Sequence, residues 1–344
     1  MGVAEITLRD DLQLRDNDYD PIILSYESQV GMAWKDHAPC VATAHSLSVV
    51  IPAYNVGHAI KPVLDALHRS TMAGPVEVIV VDDASTDSSA RLAREHPLRP
   101  TVLSLPDRLG SGGARNIGTL VAGGDLILYL DGDMVVPSHV VQEHATRGDH
   151  EWVTLGFRHN LGIGDPRILT VNTATPAVPD LEEDHRVRWR ARAGRHPHTG
   201  LVLHAPMEGR PLDHTDDLRR LGHGARYYDW DLPRMVVTAL MSVPRAAVLD
   251  VGGFHPGFAT TWGVEDTYLG ATLITAGLKV VPVRTTVGFH LDPPDVLDQW
   301  RQKAATWQRN IDLYRRLLDE PAPRGLTSQF QRTWSPVARA ATCS

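Results

Sequence analysis

The chain has 344 residues, of which 42% are hydrophobic and 22% charged, a balance that excludes disordered, fibrous and disulfide-scaffold classes. A formal net charge of -7 provides no basic field, so nucleic acid is not an expected partner. Cys40 and Cys343 stand near opposite ends of the chain and outside any metal-binding spacing, which argues against structural zinc and thiol chemistry.

The start of the chain is acidic and has no basic segment followed by an apolar run, and no stretch has the apolar length to cross a bilayer. A cytoplasmic location is the expectation, with peripheral membrane contact through an amphipathic helix left open. Residues 1–46 mix charges, Pro21 and aromatics without a period and read as an extension wrapping the core. Residues 47–51 are β-branched and end at Pro52, which predicts a buried strand. Ile60, Leu64 and Leu67 then recur at helical spacing, and the pattern ends at Gly74-Pro75. A second strand, 76–81, runs into Asp82-Asp83-Ala84-Ser85-Thr86-Asp87, where Ser85 or Thr86 can cap a helix through Leu92.

A third strand, 101–105, leads into Gly110-Ser111-Gly112-Gly113-Ala114-Arg115-Asn116, with Arg115 and Asn116 opening a helix. A fourth, 126–130, ends at Asp131-Gly132-Asp133. The alternation of strand and helix predicts an α/β fold with a mostly parallel sheet, whose ligands bind at the carboxyl ends of the strands. From 158 to 234 periodicity fails and Pro, Arg and His crowd the chain, the mark of a loop-rich insertion. Order returns near Met235, a helix begins near Glu265 and stops at Gly277, and a strand over 279–283 follows, with His290 just beyond. Leu297, Trp300, Ala304, Trp307, Ile311, Tyr314 and Leu318 form one long amphipathic helix, and the segment from Pro321 reads as poorly tied down. The division is therefore an extension at 1–46 and a main domain at 47–292. That domain splits into a first half at 47–135, the insertion at 158–234 and a second half at 235–292. A helix at 293–320 and a tail at 321–344 complete it.

Asp131 and Asp133, separated by one glycine at a strand end, can point to one side while Gly132 admits a ligand to the backbone. Two adjacent carboxylates invite a hard cation, Mn²⁺ or Mg²⁺, that also holds a diphosphate, and His290 could complete the shell. Asp and Gly are also common in plain surface turns, and a solitary histidine is more often structural. The Gly110 to Asn116 segment is neither GxGxxG nor a Walker loop, which weakens dehydrogenase and ATPase readings. Its glycines still allow close approach of a ligand, and a helix amino end favours anions. Either Glu265 or Asp266 could accept a proton from an attacking hydroxyl, or the pair could simply serve the helix dipole. Trp262 could stack on a sugar ring or belong to the core.

Four pieces in order, Ser48-Val49-Val50-Ile51-Pro52-Ala53-Tyr54-Asn55, Val81-Asp82-Asp83-Ala84-Ser85-Thr86-Asp87, Gly113-Ala114-Arg115-Asn116-Ile117-Gly118 and Leu130-Asp131-Gly132-Asp133, resemble the GT-A fold glycosyltransferases, in particular the large family 2. Trp262-Gly263-Val264-Glu265-Asp266 resembles the acceptor-side motif of chondroitin polymerase domains and, more loosely, of polypeptide GalNAc-transferases. The resemblance implies a Rossmann-like GT-A sheet and a nucleotide-sugar donor, UDP-linked by family frequency. It implies that Pro52, Ala53, Tyr54 and Asn55 line the nucleoside pocket, and that Asp83 bonds the base with Asp82 beside it. Gly113 and Arg115 would face the nucleotide sugar, Asp131 the ribose or donor sugar, and Asp133 with His290 the metal. Asp266 would be the general base and Glu265 an acceptor contact, giving transfer with inversion to a small molecule, a peptide or a lipid-linked sugar. A sugar nucleotidyltransferase and an inactive donor-binding partner subunit are the competing readings.

Overall fold

Strand β1, Leu47–Ala53, is apolar without alternation because both of its faces are covered. Val49, Ile51 and Ala53 pack with Val63 and Leu64 of the helix Ile60–His68. Val50 faces the other way, onto Ala114 and Ile117 of the helix Gly110–Val121. A Cβ on Gly118 would stand 2.2 Å from Val50 Cγ1, so the absence of a side chain there sets how closely that helix lies on the sheet. The computed structural model describes residues 6–162, 164–171, 177–184, 232–259 and 261–342. The cluster Arg186 to Arg190 and most of the expected insertion lie outside those residues.

The sheet has eight strands in the order β3-β2-β1-β4-β7-β6-β8-β5. They are β1, β2 Glu77–Asp82, β3 Thr101–Ser104, β4 Leu126–Leu130, β5 Met134–Val135, β6 Trp152–Leu161, β7 Leu240–Pro244 and β8 Lys279–Leu291. β3, β2, β1 and β4 are mutually parallel, β7 is antiparallel to β4 and β6, and β6 runs parallel to β8. This is the mixed α/β architecture predicted. The strand order reverses at β1, with β2 on one side and β4 on the other, and the crevice outside the carboxyl ends there is where such sheets bind ligands.

Several boundaries differ from the sequence reading. β6 carries order through Leu161, so the expected insertion begins after the strand rather than at 158, and within it a helix Arg167–Val171 is described. The helix after β2 begins only at Ser89, without a side-chain cap, because Ser85 and Thr86 are engaged with Asn55 instead. The helix after β3 starts at Gly110, which places Arg115 and Asn116 in its second turn rather than at its opening.

Both ends of the described chain are anchored. Asn17 exchanges two hydrogen bonds with the backbone of Val280, and Leu8, Leu12, Tyr19 and Trp34 are buried. The tail expected to be loose instead holds a helix, Thr327–Thr342, whose Phe330, Trp334, Ala338 and Ala341 fall on one buried face. Spacings of four, four and three residues were legible as a helical stripe, and that stripe rests against the helix Gly110–Val121. Among the described residues, no helix is long and apolar enough to cross a membrane.

Candidate active site

β4 ends at Leu130 and the chain turns at once into β5, two residues long, which pairs antiparallel with β8 so that Met134 lies opposite His290. The Leu291 amide donates to the Asp133 carbonyl at 2.9 Å. That short pairing brings Asp131, Asp133 and His290 together, with their ligand atoms within 4.8 Å of one another. His290 Nε2 is 3.2 Å from Asp133 Oδ1, and its Nδ1 is 3.5 Å from Asp292 Oδ1.

Burial raises the Asp133 carboxyl above its ordinary range, with His290 opposing and Asp131 adding to the rise. Burial works against the charge on His290, but Asp133 and Asp292 outweigh it and hold the imidazole above its usual value. Two partly buried carboxylates beside an imidazole are a donor set that fits a divalent ion such as Mn²⁺ or Mg²⁺. Gly132 serves differently from the expectation. A Cβ there would meet the Pro52 carbonyl oxygen at 3.0 Å and a Val56 methyl at 3.0 Å, so the space beside it holds the chain itself rather than a ligand.

Arg115 links this cluster to the second acidic pair. Its guanidinium donates to Asp131 Oδ1 at 2.5 Å and lies over the Phe254 ring at 5.5 Å. Burial opposes its charge, yet Asp131, Asp266 and Glu265 together hold it above the ordinary arginine value. Glu265 and Asp266 begin the helix Glu265–Thr275. Asp266 Oδ1 accepts from the Thr238 hydroxyl at 2.6 Å and Oδ2 from the Thr238 amide at 3.3 Å. Burial raises the Asp266 carboxyl, with Arg115 opposing. Glu265 Oε1 accepts from Ser111 at 3.3 Å, and Oε2 is buried without a hydrogen-bond partner. Burial, with Asp266 adding, pushes its carboxyl up to about 7.

The turn ahead of this pair is strained. Val264 has φ 76°, a conformation a β-branched residue resists at about 1–3 kcal/mol, and Gly263 before it has φ 91°. Asn310 of the long helix Val296–Leu318 holds the turn by donating to the Trp262 and Gly263 carbonyls at 3.1 and 2.8 Å. The Trp262 ring packs beside Trp307 at 5.1 Å and beneath the Lys303 ammonium at 5.3 Å.

At the ends of β1 and β2 the motif residues take distinct positions. Ala53 is buried in the core, while Tyr54 is 38% exposed with the Arg108 guanidinium 3.9 Å above its ring. Asn55, at φ 52°, accepts from the Thr86 amide at 2.9 Å and joins the two strand ends. Asp82 is buried and accepts from the Ser85 amide at 3.3 Å. Asp83 is 2% exposed, and its two oxygens accept from the amides of Leu109 and Gly110 at 2.6 and 2.8 Å. The anion drawn to that helix amino end is thus the protein's own carboxylate. Gly113 lies on the same helix, packed on Leu109, and Asn116 exchanges two hydrogen bonds with the backbone of Phe254.

Sequence reasoning missed four neighbours of the site. Arg158 on β6 acts electrostatically on Asp133, His290 and Asp292, and His58 acts on Asp133. Thr238 holds Asp266, and Arg108 covers Tyr54. Asp292 was legible, being two residues from His290 and so on the same side of the strand. Arg158 was not, because only the β6 to β8 register, with Arg158 opposite Gly288 and Asn160 opposite His290, brings it near.

Residues 48–177 match the model for "Glycosyl transferase family 2". The chain is 29% identical over 276 residues to validoxylamine A glucosyltransferase of Streptomyces hygroscopicus subsp. jinggangensis, covering 72% of this chain and 56% of that protein. It is 26% identical over 267 residues to the uncharacterized glycosyltransferase YfnE of Bacillus subtilis, covering 72% of this chain and 65% of that protein. An uncharacterized glycosyltransferase of Nostoc sp. is 30% identical over 142 residues, covering 40% of this chain and 43% of that protein. The chain therefore spans less than two thirds of the length of these relatives. Among solved structures, S. aureus TarS 1-349 in complex with UDP-GlcNAc shares the fold, with a TM-score of 0.51 at 14% identity over 85% of this chain and 71% of that chain.

Proposed function

We propose that this chain, whose residues 48–177 match the glycosyl transferase family 2 model and whose sheet has the GT-A fold, is a glycosyltransferase of that family that moves a sugar from a nucleoside diphosphate donor, UDP-linked in the first instance, to an acceptor nucleophile. The observation that carries the reading is the convergence of Asp131, Asp133 and His290 with Arg115, Glu265 and Asp266 beside the strand-order reversal. A relative that transfers glucosyl groups supports a hexose as the sugar.

Asp133 and His290, with Asp131, are the residues to hold Mn²⁺ or Mg²⁺, which when bound would neutralise the departing diphosphate. Tyr54, with Arg108 on its ring, would meet the base, and Arg115 the donor's negative charge. Asp266, oriented by Thr238, takes the proton of the acceptor hydroxyl. The freed oxygen forms a bond to the anomeric carbon from the side opposite the diphosphate. The bond from that carbon to the diphosphate oxygen breaks with its electron pair, and configuration inverts.

Incubation with a panel of nucleotide sugars, with and without Mn²⁺, should reveal slow metal-dependent hydrolysis of one donor, and Asp133→Ala should lower it about 10²-fold or more. Calorimetry that detects no nucleotide uptake with manganese present would refute the assignment. Pyrophosphate formation from a sugar phosphate and a nucleoside triphosphate would replace it with nucleotidyl transfer.

A further inference from the structure

Away from the site described above, the described residues contain a second group able to hold a metal: His37, His139 and Glu143, with ligand atoms within 4.8 Å of one another. His139 stands just ahead of the helix Val140–Arg147 and Glu143 lies one turn on, so both side chains stand on one face. The segment after the helix Asp20–Val30 is drawn across that face. Arg147 donates to the carbonyls of Trp34 and Asp36 at 2.9 and 2.5 Å, and the Ala38 amide donates to Glu143 Oε1 at 2.9 Å. This delivers His37, whose Nδ1 is 3.0 Å from the same Oε1 and whose ring centroid is 4.5 Å from that of His139.

The surroundings of these side chains match those of metal ligands. His139 Nε2 lies 2.9 Å from the Thr285 carbonyl oxygen, so Nε2 carries the proton and donates it, leaving the Nδ1 lone pair free to bind. A backbone carbonyl that orients a histidine through its other nitrogen is the usual outer contact of a metal-bound imidazole. Glu143 is turned in the same way by Arg147, which meets Oε2 and leaves Oε1 toward His37. The His37 side chain is 60% exposed, which leaves room for water as a fourth ligand.

We propose that His37, His139 and Glu143 form a second metal site, taking a zinc-class ion, that clips the segment around His37 onto the helix Val140–Arg147 and strand β8. The ion replaces the proton between His37 Nδ1 and Glu143 Oε1. A tetrahedral shell with bonds of about 2.1 Å places ligand atoms roughly 3.4 Å apart, against 3.0 Å between His37 Nδ1 and Glu143 Oε1 and no more than 4.8 Å among the three. Two imidazoles and one carboxylate favour zinc, whereas the carboxylate-rich cluster at Asp131 and Asp133 suits a harder ion. The inference does not depend on sugar transfer.

The test uses the full chain, cleared of metal by dialysis against a chelator and titrated calorimetrically with ZnCl₂. One Zn²⁺ per chain should bind in wild type and in Asp133→Ala and should raise their thermal midpoints. In His37→Ala and His139→Ala the affinity should fall at least tenfold, and the rise in midpoint should vanish. His37 is exposed, so His37→Ala keeps the test independent of any folding defect in His139→Ala. Zinc affinity in both histidine variants equal to that of wild type, no binding by wild type, or loss of binding in Asp133→Ala would overturn the proposal.

Discussion

Replacing Glu265 by glutamine should make the protein more stable above neutral pH while lowering its turnover. The side chain is 7% exposed, one oxygen accepts only a 3.3 Å bond from Ser111, and the other has no hydrogen-bond partner. Burial and the Asp266 carboxylate move its carboxyl from 4.5 to about 7, a displacement that corresponds to about 3 kcal/mol. Between those values the folded chain binds more protons than the unfolded one, so stability falls as pH rises through the window and stays reduced above it. Glutamine cannot ionise and escapes that loss. Scanning calorimetry should find the Glu265→Gln midpoint higher by on the order of 5 °C at pH 8, with little difference at pH 5. A variant that is less stable at pH 8, or that differs equally at both pH values, would refute the reasoning.

Asp266→Asn keeps the Thr238 contact to the remaining oxygen but cannot take a proton. Its kcat should fall about 10²-fold or more with donor affinity nearly unchanged in calorimetry, and an undiminished rate would remove Asp266 from the role. Phe330→Ala should lower stability by about 3–5 kcal/mol in denaturant titration, because Phe330, on the buried face of the last helix, is 2% exposed. A loss near zero would show that this helix contributes little to the fold.

Local pattern was enough to identify the sheet and its edge. A strand covered on both faces must be a continuous apolar run, and the run 126–130 is one, so its limits as β4 were legible, as was the position of Asp131 and Asp133 at its end. The helix beginning at Glu265 was equally plain, since Gly277 at φ 100° ends it. The roles of neighbouring residues were harder to read, because a motif shows which groups are present and not which partner takes them. Asp83 is a free carboxylate in the sequence, but in the fold it is committed to the amides of Leu109 and Gly110. Gly132 looks like an opening for a ligand, but the Pro52 carbonyl lies against it.

By itself, then, the sequence determined the α/β class, the four parallel strands of the first half and the acidic groups delivered to their carboxyl ends, all of which follow from spacing within a few residues. The tertiary structure alone decided that Asp133 meets His290, that Arg158 acts electrostatically on the same cluster and that Arg115 joins Asp131 to Glu265 and Asp266. Each of these depends on strand register or helix packing between segments far apart in the chain. Side-chain alternation of period two allows many such registers, and only burial of the whole sheet selects one.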